Sequence, residues 1–159
     1  MINARIDKIK KTRTFLIEQV DKLTDEQLNK VPKGYNNNII WNLTHLISIQ
    51  QGLCYFRAGQ KAIAPEKYIM PFAINTNPVR VLEKQEIKEV KKLLITTIDE
   101  LQRDYDKKIF RNYTTPQNIF KAYKIEINDI DEALAFLLYH EGYHTGYVLS
   151  LKKLVCDPF

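Results

Sequence analysis

The chain has 159 residues, 45% of them hydrophobic and 27% charged, with a formal net charge of +5. This composition excludes a disordered chain, and the length fits one domain, residues 1–159, around a single hydrophobic core. No apolar run approaches the ~20 residues that span a bilayer, and the charged N-terminal segment lacks the continuous apolar core of a secretory signal. With only two cysteines, a disulfide framework is not expected either. We therefore expect a cytoplasmic domain without a membrane partner.

Apolar residues recur at helical spacing from about residue 4 to residue 23, which predicts a first long helix. Asn3 stands where an N-cap is expected, because its side chain can accept the free amide hydrogens of the first turn. Thr24 and Gln27 then form the pattern of a capping box, which predicts a short helical turn that ends at Pro32.

Three further long helices are predicted. The second begins in an asparagine cluster and covers about 36–58, with Gly59 as the left-handed residue that ends it. The third covers about 84–110 and the fourth about 130–155. No segment convincingly predicts a strand, although residues 123–128 alternate weakly between apolar and polar.

A long link that contains three prolines, residues 60–83, joins the second and third helices. Links of this length are uncommon in compact domains and are typical of a crossover or a functional segment. A crossover returns the chain along the bundle, so the helices on either side of it run parallel. The sequence therefore predicts an all-α four-helix bundle with a long crossover between helices two and three. A second link, 111–128, contains a predicted helical turn at 118–123.

The chain contains three histidines, His45, His140 and His144. His140 and His144 lie four residues apart in the fourth helix, so their side chains point in similar directions about 6 Å apart along the axis. His45 lies midway along the second helix, which a bundle can place opposite the fourth. Three neutral imidazoles can hold one divalent metal ion and leave open positions on it, as catalytic sites require. Three unconnected histidines at helix surfaces are the alternative.

Counting 100° per residue places a mostly apolar and aromatic set of side chains beside the histidines. Such a lining is typical of a small-molecule pocket, and its predicted members are Trp41, Ser48, Gly52, Tyr143 and Tyr147. Tyr147 is nearest the metal side and could hold a bound water or a substrate oxygen, although both tyrosines could equally be core residues. Gly52 either leaves room for a ligand or allows close helix packing, since a helical glycine costs about 1 kcal/mol against alanine.

Residues 140–144 read His-Glu-Gly-Tyr-His and match the His-Glu-x-x-His signature of zinc peptidases, in which the glutamate activates the metal-bound water. However, Tyr147 and Ser150 stand where the extended signature needs glycine and histidine. No strand is predicted that could bind a peptide substrate. A peptidase is therefore disfavoured. Glu141 is kept with Tyr147 as a candidate catalytic residue, but a surface charge is its favoured interpretation.

Two motifs, one in the second predicted helix and one in the fourth, give the chain a resemblance to a known family. They are Asn38-x-x-Trp41-x-x-x-His45-Leu46 and His140-Glu141-Gly142-x-His144-x-Gly146-Tyr147. With these motifs, the helix order and the long link, the whole chain resembles the DinB-like superfamily, also called the YfiT-like metal-dependent enzymes. Many relatives have glutamine where Tyr147 stands. The resemblance therefore carries over the three histidines as ligands but not the contacts to a substrate.

The resemblance implies an up-down-down-up four-helix bundle, frequently a homodimer, with one divalent metal ion (zinc, nickel, iron or manganese) on the three histidines. Characterised relatives are transferases and isomerases that use low-molecular-weight thiols such as bacillithiol, mycothiol or glutathione. We therefore expect a metal-dependent enzyme, a thiol-dependent S-transferase or a hydrolase, that acts on a small molecule. A metal-binding or dimeric bundle without catalysis is the second hypothesis, and a plain helical interaction module is the third.

Two surfaces bear on macromolecular partners. The face of the fourth helix opposite the histidines is apolar and includes Gly142 and Gly146, which predicts packing against a neighbouring helix or against a second subunit of a homodimer. The basic residues scatter over several helices instead of forming one patch. That scatter favours solvated faces over nucleic-acid binding.

Overall fold

The structure is a computed structural model that describes residues 3–156, so residues 1–2 and 157–159 of the predicted domain lie outside the described range. Its six α-helices are α1 (Ala4–Val20), α2 (Asp25–Asn29), α3 (Ile39–Gln50), α4 (Lys84–Asp106), α5 (Gln117–Tyr123) and α6 (Ile130–Cys156). Between residues 3 and 156 there is no strand, and the prediction of an all-α fold is confirmed.

The predicted helix starts are confirmed, whereas two predicted ends are too late. The Asn3 side chain accepts two backbone N–H groups of the first turn of α1. Thr24 and Gln27 form both hydrogen bonds of a capping box at the start of α2. Both α1 and α4 end three to four residues before the predicted positions. After α4, Lys108 adopts a φ of 56°, and this left-handed conformation turns the chain away from the helix axis.

The second predicted helix is not one continuous α-helix. A π-helical turn, Gln51–Tyr55, and a 3₁₀ turn, Phe56–Ala58, follow α3 directly, and Gly59 ends the segment with a φ of 67°. The side chain of Gln51 is held in this turn, where its Oε1 accepts the Ile63 backbone N–H at 2.9 Å. A π-helical turn closes i→i+5 hydrogen bonds and holds one residue more than an α-helical turn. Side chains beyond it are therefore rotated by roughly 100° from their positions in a continuous α-helix.

The four long helices form a bundle in which α1 and α3 each pack against both α4 and α6. Hydrogen bonds between the helices give their directions. Between α1 and α6 the pairs are Arg5–Asp131 and Gln19–Lys152, so the residue numbers rise along both helices together. The pairs Gln50–Thr97 and Tyr55–Asp104 show the same order between α4 and α3 with its π-helical continuation. Between α1 and α4 the pairs are Asn3–Gln102 and Asp21–Lys91, so the numbers rise along one helix and fall along the other. Thus α1 and α6 point one way, and α3 and α4 point the other.

A buried arginine of α1 lies at the centre of the bundle and contacts the other three long helices. Arg13 of α1 donates from Nε and Nη2 to the Oε1 atom of Glu141 on α6, at 2.9 and 2.6 Å. It also donates to the Gln50 side chain at 2.8 Å, to the Leu46 carbonyl at 2.9 Å and to the Leu94 carbonyl at 3.2 Å. Along each helix, this polar layer separates two clusters of buried apolar side chains.

None of the helices within residues 3–156 combines the length and the apolar character that crossing a lipid bilayer requires.

Candidate metal centre

The three histidines lie together where α3 and α6 pack against each other. One ring nitrogen from each of His45, His140 and His144 falls within 4.8 Å of the other two. His140 and His144 lie one turn apart on α6, and their ring centroids are 4.4 Å apart. The ring centroid of His45 lies 5.2 Å from that of His140 and 4.8 Å from that of His144. Because α6 contributes two rings and α3 one, the site exists only when the two helices are packed.

Hydrogen bonds on the side away from the cluster orient two of the rings. The Nδ1–H of His45 donates to the backbone carbonyl of Phe72 at 2.6 Å, and that carbonyl can only accept. The Nδ1–H of His144 donates to the side-chain oxygen of Asn42 at 2.8 Å. In both rings the proton is therefore on Nδ1, and the lone pair of Nε2 is free for a metal ion.

Asn42 is itself held in the orientation that His144 needs. Its amide nitrogen donates to the Asn38 carbonyl at 2.7 Å and to the Asn37 side-chain oxygen at 3.1 Å. With the nitrogen engaged on that side, the oxygen faces the imidazole. Asn38 is the N-cap of α3, and its own side chain accepts the Trp41 N–H at 2.8 Å. The asparagine cluster therefore both starts the helix and supports a ring on α6.

The imidazoles are held in the neutral form, which is the form that binds metal ions. Burial lowers the pKa of His140 to about 2, with a further lowering by the two neighbouring rings. Burial also lowers the pKa of His144 to about 3, and it lowers the pKa of His45. In addition, Nδ1 of His140 is buried without a hydrogen-bond partner among the described residues. Three neutral imidazoles with free lone pairs fit a divalent metal ion.

The histidines form part of the wall of a cavity of about 470 Å³, a volume within the range of small-molecule sites. Another part of this wall is formed by four residues of the long link, Ile69, Met70, Ala73 and Ile74. The Ser48 hydroxyl connects the link to α3 by donating to the Ile69 carbonyl at 2.8 Å. A Cβ atom at Gly52 would have no neighbour within 4 Å. This glycine therefore borders open cavity space and not a packed helix.

A family model described as the DinB superfamily matches residues 8–148. The chain belongs to the DinB superfamily. All three histidines lie within the matched segment, as do both hydrogen-bond partners that orient His45 and His144. Membership and the three-histidine cluster are together compatible with a metal-dependent enzyme.

The structure brings some of the predicted pocket residues of this DinB protein to the cavity and places others elsewhere. Ser48, Gly52 and Tyr143 line the cavity. Trp41 lies outside the lining and stacks on the ring of His45 with the centroids 4.6 Å apart. Tyr147 does not line the cavity either, because its ring packs edge-on against Tyr35 at 5.8 Å, beside the apolar core.

The interpretation of Glu141 as a surface charge is wrong. Its side chain has no exposed area, and its Oε1 atom is bound by Arg13 in the bundle centre. Burial raises the pKa of this carboxyl, and the Arg13 charge opposes the rise. The carboxylate is turned toward the core because Glu141 lies one residue, about 100°, beyond His140 on α6. It therefore does not face the cavity as the glutamate of a zinc peptidase would.

Three residues with a place in the site were not predicted. Asn42 lies on the same face of α3 as His45, and its periodicity could have signalled a supporting role. Phe72 acts through its backbone carbonyl, for which the side-chain pattern holds no signal. Arg57 lines the cavity from the turn that follows the π-helical segment, a position that a continuous α-helix would not give it.

Proposed function

We propose that this DinB protein is a divalent-metal-dependent enzyme that acts on a small, largely apolar molecule, either as a thiol-dependent S-transferase or as a hydrolase. The single observation that carries the proposal is the meeting of three neutral imidazoles in the wall of a cavity of small-molecule size. A cluster buried in a solid core would have no access to a substrate.

His45, His140 and His144 would hold the metal ion. When bound there, a divalent ion supplies positive charge that lowers the pKa of a coordinated thiol or water toward neutrality. An all-imidazole ligand set suits zinc, nickel and iron better than manganese, which prefers oxygen ligands. We therefore narrow the expected metal to zinc, nickel or iron.

The chain's own side chains explain why a second molecule has to supply the nucleophile. The described residues that line the cavity include no aspartate, glutamate or cysteine. The Ser48 hydroxyl, which lines the cavity from α3, donates its proton to the Ile69 carbonyl at 2.8 Å. With no thiol or carboxylate in the described lining and the serine proton engaged, we expect a thiol or a water molecule from solution to be the nucleophile.

The remaining lining residues orient the substrate and exclude water. The walls are mainly aliphatic and aromatic, so a bound apolar molecule displaces solvent from the cluster. Tyr143 borders the cavity with its ring edge-on to His144 at 5.1 Å. Its phenol is a hydrogen-bond donor next to the histidines and, in place of Tyr147 and Glu141, is the candidate for orienting a substrate oxygen.

Metal content tests this proposal. Protein purified without an affinity tag is analysed for metals before and after loading with zinc, in the wild type, in His45→Ala and in Tyr147→Phe as the control. We expect about one ion per chain in the wild type and the control and a loss in His45→Ala, since three ligands form the site. A wild type that binds no metal would overturn the proposal and leave a helical interaction module.

Turnover separates an enzyme from a metal-binding bundle. Zinc-, nickel- and iron-loaded protein is assayed with small thiols against the electrophile monochlorobimane, and with nitrophenyl esters in the absence of thiol. Thiol-dependent turnover that is lost in His45→Ala supports S-transfer, and ester cleavage without thiol supports hydrolysis. Bound metal without either reaction favours the non-catalytic alternative.

We also propose that two copies associate through the apolar face of α6 opposite the histidines. Gly142 and Gly146 on this face are exposed, and a Cβ atom at either would meet nothing within 4 Å. Small residues in a row allow a second helix to approach closely. Light scattering at micromolar concentration should give twice the chain mass for the wild type and the monomer mass for Gly146→Arg. A monomeric wild type would contradict this proposal.

A further inference from the structure

Among the described residues that line the cavity, Arg57 is the one that carries a permanent charge. It is half-buried, in the short turn between the π-helical segment and Gly59. Its backbone carbonyl accepts the Thr114 N–H at 2.7 Å, which fixes the turn against the second link. The one-residue offset of the π-helical turn brings this side chain to the cavity side of the segment.

The guanidinium of Arg57 differs from the other five in the sequence. Each of the others donates a hydrogen bond, four of them to a carboxylate and that of Arg111 to the Lys108 carbonyl. The Arg57 guanidinium makes no hydrogen bond or ion pair with any residue between 3 and 156. Arg57 and the acidic side chains Asp129 and Glu132 all influence the pKa of Tyr113. Both carboxylates accept backbone N–H groups at the start of α6, Glu132 from Asn128 at 2.7 Å and Asp129 from Glu132 at 2.8 Å.

The cavity consequently has a positive electrostatic balance. Its described lining holds one guanidinium and no carboxylate, and a divalent ion on the histidines would add further positive charge. A half-desolvated guanidinium without a counter-ion is a strong binder of carboxylate and other oxyanions, to which it can donate two parallel hydrogen bonds. The Arg57 charge at one end of the apolar cavity favours an anionic ligand over a neutral one of equal shape, and a metal ion at the other end would add to this preference.

The spacing gives the shape of such a ligand. His45 and Arg57 are twelve residues apart, which corresponds to roughly 18 Å between their Cα atoms along the segment. The cavity wall between them is formed by apolar and aromatic side chains, including Ile49, Leu53 and Phe136. A ligand that reaches both ends is therefore extended, with an apolar middle and an anionic group many bonds from the atom that faces the histidines.

We propose that Arg57 is the anion anchor of the cavity and that the substrate is an extended apolar or aromatic molecule with a carboxylate, sulfonate or phosphate at the end remote from the histidines. This inference rests on the proposed function for the reacting end of the molecule. The anion anchor itself is a property of Arg57 and can be tested without metal or turnover.

Two fluorescent probes with the same aromatic body test the anchor. Anilinonaphthalene sulfonate carries one sulfonate, and N-phenylnaphthylamine is the same body without it. Dissociation constants of both are measured for full-length wild type, Arg57→Gln, Arg57→Lys and Arg111→Gln, with metal content determined on the same samples. Arg111→Gln is the matched control, because that arginine is exposed and does not line the cavity.

We expect Arg57→Gln to weaken sulfonate binding at least about tenfold, the effect of losing hydrogen bonds to a charged group. The affinity for the neutral probe and the metal content should not change. Arg57→Lys should recover part of the sulfonate affinity, and Arg111→Gln should behave as the wild type. Gly52→Phe, whose ring enters the open cavity space, should weaken the binding of both probes.

Three results would overturn the inference. The first is an equal loss of affinity for both probes in Arg57→Gln, and the second is an unchanged affinity for both. The third is unchanged affinity for the sulfonate probe in Gly52→Phe, which would place that probe outside the cavity. If Arg57 only balances the helix dipole at the end of this segment, its replacement lowers thermal stability and leaves the ratio of the two affinities unchanged. Failure of the metal centre is read separately, from the metal content of the wild type and of His45→Ala.

Discussion

Replacement of Glu141 by leucine should destabilise the protein severely, because it leaves the Arg13 charge unpaired in the centre of the bundle. Both side chains have no exposed area, so water cannot solvate the guanidinium after the carboxylate is removed. Removing one partner of such a pair costs about 3–5 kcal/mol. For a domain of this size, that loss lowers the melting temperature by about 6 to 20 °C.

An exposed ion pair between α1 and α4, two long helices that also pack on each other, supplies the control. Lys10 and Asp99 form this pair with side chains 43% and 40% exposed. Asp99→Asn should cost at most about 1 kcal/mol, since water and salt already screen exposed pairs. Urea unfolding followed by circular dichroism measures both variants against the wild type.

The double variant Arg13→Met with Glu141→Leu tests the cause of the loss. It removes both buried charges, and the Gln50 side chain that Arg13 contacts still accepts the Thr97 hydroxyl at 2.9 Å. We therefore expect the double variant to be more stable than Glu141→Leu alone. The reasoning is refuted if Glu141→Leu lowers the free energy of unfolding no more than Asp99→Asn does. It is also refuted if the double variant loses as much stability as the single variants Arg13→Met and Glu141→Leu lose in sum.

Three further predictions concern the site, the thiols and a glycine. Asn42→Ala should weaken zinc affinity about 10- to 100-fold, because His144 loses the acceptor that orients its ring, and fluorescence of the single tryptophan stacked on His45 can report the titration. In a thiol-reagent assay of native protein, exposed Cys156 should react quickly and Cys54 only after unfolding, because burial raises the pKa of the Cys54 thiol to about 12. In the monomeric Gly146→Arg background, Gly142→Ala should raise the free energy of unfolding by about 0.5–1 kcal/mol, since within one chain the exposed helical glycine has room for a Cβ atom.

Each of these predictions has a contrary outcome. Unchanged zinc affinity in Asn42→Ala would show that the ring of His144 is oriented by packing alone. Rapid reaction of two thiols in native protein would contradict the burial of Cys54. A lower free energy of unfolding for Gly142→Ala in the monomeric background would contradict the open space beside this glycine within one chain.

Local sequence signals predicted the helices well because they act within one turn. An asparagine or threonine before an apolar periodic segment is sufficient to mark a helix start, as at Asn3 and Thr24. The pairing of His140 with His144 is likewise a property of helix geometry alone. The approach of His45 to this pair required one further assumption, that the second and fourth long helices pack against each other.

The failures share the opposite cause. The π-helical turn begins at Gln51, whose side chain contacts the link that follows, and no pattern within the helix indicates that contact. Glu141 looked like a surface charge because its partner Arg13 is 128 residues away in the chain. Tyr147 was predicted to line the pocket from its angular position on the helix alone, and that position gives no information about Tyr35, against which its ring packs.

By itself, the sequence determined the fold class, the starts of the helices and the pairing of His140 with His144, since these follow from periodicity and spacing within one chain segment. His45 was added as the third candidate ligand on the assumption that the second and fourth long helices pack together. Only the tertiary structure decided which side chains face the cavity, which nitrogen of two histidines is free and where the one charged lining residue lies. Those features depend on distant segments packing together, because a buried charge is stabilised, and an imidazole ring is oriented, by a partner from another part of the chain.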